Sequence, residues 1–251
     1  MTAQRPVVLV TAGHKRLGRA VALHLAEHGA DVAVHYRSDP ETAQAVVVQL
    51  QELGARAVAI QAELTDTAAV GHLVQQTVAA MGRLDWLVGC AASWEPTPLA
   101  SLTAAQLDAV LQSNARAPVD LVLQALPWLR QSADARVVLF GDLAGRLPFA
   151  GYLAHSMAKA ALHAAVAGLA AELGPVVAVN GIAPGAVLQP ADMDAAAWTA
   201  LQRRVPQGQL ALDDAELPVD AVAATVHFLL TAPRYLSGQI VAVDGGRTAR
   251  W

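Results

Sequence analysis

The chain has 251 residues, 55% of them hydrophobic, one cysteine and a formal net charge of -4 at pH 7. That length and apolar content suit one large core; the acidic balance argues against nucleic-acid and anionic-membrane surfaces, which need a basic face; and a lone thiol excludes an internal disulfide or a multi-cysteine metal cluster. No stretch reaches the ~18 unbroken apolar residues of a membrane span and the N-terminus lacks the pattern of a signal peptide, so a cytoplasmic protein with no membrane partner is expected.

Short β-branched runs alternate with longer alanine- and leucine-rich helical stretches from end to end, the pattern of an α/β fold in which helices cover both faces of a parallel sheet. Seven strands are predicted, at residues 6–11, 31–36, 57–61, 86–90, 136–141, 176–181 and 239–243. They are continuously apolar, as strands buried on both faces require. After the first comes Thr11-Ala12-Gly13-His14-Lys15-Arg16-Leu17-Gly18, opening straight into a helix. A strand, a small-residue turn and a helix N-terminus present backbone N–H groups to a pyrophosphate; an ordinary tight turn is the alternative.

The second strand ends in His35-Tyr36-Arg37-Ser38, without an acid to read a ribose 2′-hydroxyl. Arg37 and Ser38, with Lys15 or Arg16 opposite, suit a 2′-phosphate, so NADP(H) is expected over NAD(H). Asp39 before Pro40 predicts one helix cap, and Thr65 or Asp66 the next. Gly29, Gly54 and Gly82 stand where left-handed C-terminal residues are wanted. Cys90, ending the fourth strand, reads as a small buried hydrophobe. Residues 184–217, with Pro190, Pro206 and Gly208, form the least regular segment and a candidate lid. The eight histidines are scattered without a metal-ligand spacing, so no metal is expected. No linker or repeat divides residues 1–251, and one Rossmann-type doubly wound domain follows.

On these residues the chain resembles the short-chain dehydrogenase/reductase family over essentially its whole length, and within it the pteridine reductases. The likeness is carried by Lys15-Arg16-Leu17-Gly18-Arg19, His35-Tyr36-Arg37-Ser38, Pro96-Thr97-Pro98-Leu99, Lys159-Ala160-Ala161-Leu162, Asn180-Gly181-Ile182-Ala183-Pro184-Gly185 and Val243-Asp244-Gly245-Gly246. The resemblance implies that Thr11, Gly13, Lys15 to Gly18, His35 to Ser38, Glu63, Leu64, Ala91, Lys159, Pro184 and Gly185 line the cofactor. It implies that Lys159 binds the nicotinamide ribose, that Asn114 supports a water chain to that lysine, and that Asp142 stands where pteridine reductases have aspartate. Trp94 and Tyr152 match aromatic residues that hold a flat pterin. Helices at residues 103–130 and 154–173 match those that pair across a two-fold axis in related homotetramers, which makes a homotetramer or dimer the expected assembly.

The departures are as concrete. Thr11-Ala12 replaces the family's Thr-Gly, Gly89-Cys90-Ala91 replaces Asn-Asn-Ala, and His155, four residues before Lys159, stands in place of the catalytic tyrosine. A tyrosine near ~10 needs a lysine's charge to donate its proton, whereas an imidazolium near ~6.5 is opposed by that charge and favoured by a carboxylate. An Asp142–His155 couple that donates as imidazolium is therefore expected. The alternatives are donation by Tyr152 or by water at Asp142, and a non-catalytic dinucleotide-binding homologue used for sensing or assembly.

Overall fold

The computed structural model describes residues 4–190 and 193–249. Among these, strands and helices alternate in the order β1 (Val7–Val10), α1 (Arg16–Glu27), β2 (Asp31–Tyr36), α2 (Pro40–Glu52), β3 (Ala57–Gln61), α3 (Thr67–Met81) and β4 (Trp86–Gly89). The second half continues with α4 (Ala104–Leu111), α5 (Ala117–Leu129), β5 (Ala135–Phe140), α6 (Leu153–Leu173), β6 (Val177–Pro184), α7 (Ala195–Gln202), α8 (Gly208–Asp213), α9 (Leu217–Thr231) and β7 (Ile240–Val243). All seven strands run parallel in the order β3-β2-β1-β4-β5-β6-β7. The order reverses between β1 and β4, and a crevice opens there at the carboxyl ends of the strands, where open α/β sheets bind ligands.

Successive strand residues point to opposite faces and fill two cores. Val8, Val10, Val32 and Val34 pack with Val21, Leu25, Leu50, Val222 and Val226 under α1, α2 and α9. Leu9, Leu87 and Leu139 face the other way, onto Leu73, Leu121 and Leu162 of α3, α5 and α6. The helix ends follow the local chemistry: Asp39 accepts from the Thr42 N–H, and Asp66 rather than Thr65 caps α3.

Three expectations need adjustment. Strand β6 runs on through Ile182 and Ala183 to Pro184, because those residues pair with β7, a ladder that no local pattern announces. The helix expected at residues 103–130 is two, α4 and α5, joined by a π turn at Gln112–Arg116. The candidate lid carries two short helices, α7 and α8, while its residues 191 and 192 lie outside the described set. Among the described residues no helix is long and apolar enough to cross a membrane.

Candidate active site

The turn after β1 is shaped for an anion. Ala12 has φ 51° and Arg16 φ 50°, left-handed values that favour glycine, and a Cβ on Gly18 would collide with the Ala12 carbonyl oxygen. No side chain caps α1 at Lys15, so the first-turn N–H groups are left for a ligand. Thr11 ties the turn to the next loop by accepting from the Ala91 N–H at 3.0 Å. Lys15, Arg16, Arg37 and Ser38 are exposed around it, and Arg16 reaches the Gln189 carbonyl of the lid segment at 3.4 Å.

His35 does not line this cleft, contrary to expectation. Its Nδ1 accepts from the Ala12 N–H at 3.0 Å and its Nε2 donates to the Ala62 carbonyl at 3.1 Å. Burial pushes it down to about 4, so it is a neutral strut that holds the turn. Leu17 and Leu64 likewise pack against the two cores. Glu63 spends one carboxylate oxygen on the N–H and hydroxyl of Thr65, and Asp39 spends its carboxylate on Thr42. Tyr36 is half-buried, with His14 edge-on to it at 6.1 Å.

His14 escaped sequence reasoning. It is buried, neither ring nitrogen has a partner, and burial first and Lys15 second hold it below the usual histidine range. Unpaired polar atoms inside a phosphate-type turn are what a dinucleotide would satisfy. The donors, cations and orphaned imidazole therefore fit such a cofactor. At the far side Pro184 ends β6, and Gly185 donates to the Val243 carbonyl at 2.9 Å.

The second cluster sits where β4, β5 and the start of α6 converge. His155 and Lys159, one turn apart, share the buried face of α6. Lys159 Nζ donates to the Phe140 carbonyl at 2.6 Å, and burial, partly offset by Asp142, lowers it to about 8. Asp142, following β5, spends one oxygen on the Ala144 N–H at 2.7 Å and holds the other 3.5 Å from His155 Nε2. Trp94 stacks on Tyr152 at 4.4 Å between centroids and meets His155 edge-on at 4.6 Å. Cys90 is half-buried, and burial pushes its thiol up, away from the reactive thiolate.

Asn114 selects the tautomer of a neutral His155 ring. Its Oδ1 accepts from the Ser93 N–H at 2.8 Å and its Nδ2 donates to the Ser93 carbonyl at 2.8 Å. Both partners are backbone, so the amide has one orientation, and Nδ2 faces His155 Nδ1 at 3.2 Å. That nitrogen must accept, which places the hydrogen of neutral His155 on Nε2. The structure brings the expected Asp142–His155 couple together at 3.5 Å through Nε2, which is buried and makes no hydrogen bond. The contacts of the Asn114 side chain are to Ser93 and His155, where the π turn at Gln112–Arg116 brings it.

A cavity of about 390 Å³ lies elsewhere, between α7, α8 and β7, and is lined by Val187, Gln202, Val205 and Asp244 among others. It shares no lining residue with this cluster, and the titratable groups mark the chemistry better than the volume does.

The sequence pattern described as short chain dehydrogenase matches residues 6–200. An uncharacterized oxidoreductase of Mycobacterium tuberculosis is 35% identical over 96% of this chain and 92% of its own length. A hydroxynaphthalene reductase of Aspergillus fumigatus is 35% identical over 72% of this chain and 66% of its own. A short chain dehydrogenase from Burkholderia cenocepacia, solved in complex with NADP, superposes with a TM-score of 0.86 at 36% identity, covering 98% of this chain and 99% of that one.

Proposed function

We propose that this chain, which belongs to the short chain dehydrogenase family, is an NADPH-dependent reductase of a flat substrate carrying a C=O or C=N bond, dihydropterin-like, with His155 in the tyrosine's place. The observation that carries the reading is the buried, unpaired N–H at His155 Nε2 beside Trp94 and Tyr152. A buried donor left without a partner costs about 1–3 kcal/mol, and a substrate heteroatom would relieve it. The 2′-phosphate reading draws on Arg37, Ser38, Lys15 and Arg16, and on the relative solved with NADP. The flat-ring reading draws on the stacked Trp94–Tyr152 pair and on the naphthalene-based name of one relative.

The nicotinamide, when bound, supplies hydride. His155 Nε2–H polarises the accepting bond as a neutral imidazole does. Lys159 is the acid of the site. At about 8 it keeps its proton at neutral pH yet yields it readily as negative charge develops nearby. Asn114 locks the imidazole tautomer, and Asp142 adds negative charge beside both His155 and Lys159. A homotetramer or dimer pairing through α5 and α6 accounts for exposed Leu123 and Met157 on those helices, and a lone thiol suits a reducing cytoplasm.

The test is loss of NADPH absorbance with a panel of pterins, quinones and small carbonyls. Turnover of at least one flat substrate, reduced in His155→Ala, is expected; no turnover with any of them would overturn the reading. The edge contact of Trp94 on His155 favours one rival, a dinucleotide-binding homologue without turnover. NADPH binding by an inactive parent, with activity appearing in His155→Tyr, would identify it.

A further inference from the structure

Away from the crevice, three histidines converge where the end of α1 packs on α9. His24 on α1 and His28, the residue that caps its C-terminal end, are four residues apart, with rings stacked at 4.2 Å between centroids. His227 on α9 lies 4.6 Å from the His28 ring and 5.7 Å from the His24 ring. One nitrogen from each of the three falls within 4.8 Å of the others.

The chemistry of each ring is that of a ligand. The His28 Nδ1 lies 2.8 Å from the His24 carbonyl, an oxygen that can only accept, so Nδ1 carries the hydrogen and Nε2 keeps a free lone pair. A ring N–H given to a backbone carbonyl is the usual outer support of a metal-bound imidazole. His24 and His227 each bring a half-buried ring with a nitrogen inside the same cluster. Glu27 on α1 and Asp220 on α9 add negative charge beside His24, which compensates an incoming cation.

We propose that His24, His28 and His227 form a binding site for one borderline divalent transition ion of the Zn²⁺ class, clamping the end of α1 to α9. Three imidazoles without carboxylate or carbonyl ligands select Zn²⁺, Ni²⁺ or Cu²⁺ over Mg²⁺ or Ca²⁺. Tetrahedral zinc at its usual nitrogen distances needs ligand atoms about 3.3 Å apart. The three rings are exposed or half-buried, so rotation about their side-chain bonds can close the difference, and water completes the fourth position. The proposal departs from the expectation of no metal: His24 and His28 stand at i, i+4, and His227 joins them only through the packing of α9 on α1.

The test is calorimetric titration of Zn²⁺ into the full chain, stripped with chelator and free of any histidine tag, beside His28→Gln, His227→Gln and a His72→Gln control on α3. The parent and the control are expected to bind one equivalent, and each ligand variant to bind at least about 100-fold more weakly, since even outer-sphere partners are worth 10–100-fold. Zn²⁺ should raise the unfolding midpoint of the parent and the control only. Co²⁺ should give the visible absorption bands of a four-coordinate site, lost in both ligand variants. Absence of stoichiometric binding, or equal affinity in parent and ligand variants, would overturn the site.

Discussion

Asn114 donates its side-chain N–H to His155 Nδ1 across 3.2 Å, and the backbone of Ser93 leaves the amide no other orientation. That contact places the hydrogen of a neutral His155 ring on Nε2.

Without the Asn114 N–H the His155 ring is free to turn, so the rate is expected to fall about ten-fold or more in Asn114→Ala. The same change should lower stability by about 1 kcal/mol, because part-buried backbone groups of Ser93 lose their partners. Steady-state rates and denaturant unfolding of the two proteins are the measurements. An unchanged rate in Asn114→Ala would show that the contact does not orient the imidazole.

Lys159 links activity and stability to pH. Its folded value, about 8, lies below its ordinary 10.5, so the unfolded chain binds more protons between those limits and stability rises with pH there. Below about 8 the penalty of the buried ammonium is fully present. Lys159→Met should therefore exceed the parent in stability at neutral pH, by on the order of 3 kcal/mol, with the gap closing as pH rises from about 8 to 10.5. The parent's reductase rate should fall over the same rise, as the ammonium is lost. A gap independent of pH would show that burial does not depress this lysine.

NADPH is expected to bind at least ten-fold more tightly than NADH, about 1.4 kcal/mol, because Arg37, Ser38, Lys15 and Arg16 surround the end of β2 while Asp39 and Glu63 are turned onto threonines. Arg37→Ala should remove most of that preference in a calorimetric comparison. Equal affinities in the parent would defeat it.

Ala12 holds φ 51° without being glycine. A left-handed conformation costs an L-residue roughly 1–2 kcal/mol, offset in part by the greater unfolded-state entropy of glycine. Ala12→Gly is thus expected to stabilise the protein by about 0.5–1 kcal/mol, read from urea midpoints at constant slope. Destabilisation would mean that the methyl packs favourably in the turn.

The sequence by itself determined the alternation of strands and helices, the parallel sheet, the anion-binding turn after β1 and the pairing of His155 with Lys159 on one helical face. These follow from periodicity, from small residues at turns and from i, i+4 spacing, all of which are local. The environment of each side chain was decided only by the tertiary structure. His35 looks like a cofactor contact along the chain, yet parallel pairing of β2 with β3 draws its ring between Ala12 and Ala62. Asn114 reaches His155 only because a π turn and the loop after β4 meet beside α6. His14 is orphaned, and His227 joins His24 and His28, through burial and helix packing between segments far apart in sequence. A hydrogen bond or a ligand set is a relation among atoms in space, and spacing along one strand or helix cannot specify its distant half.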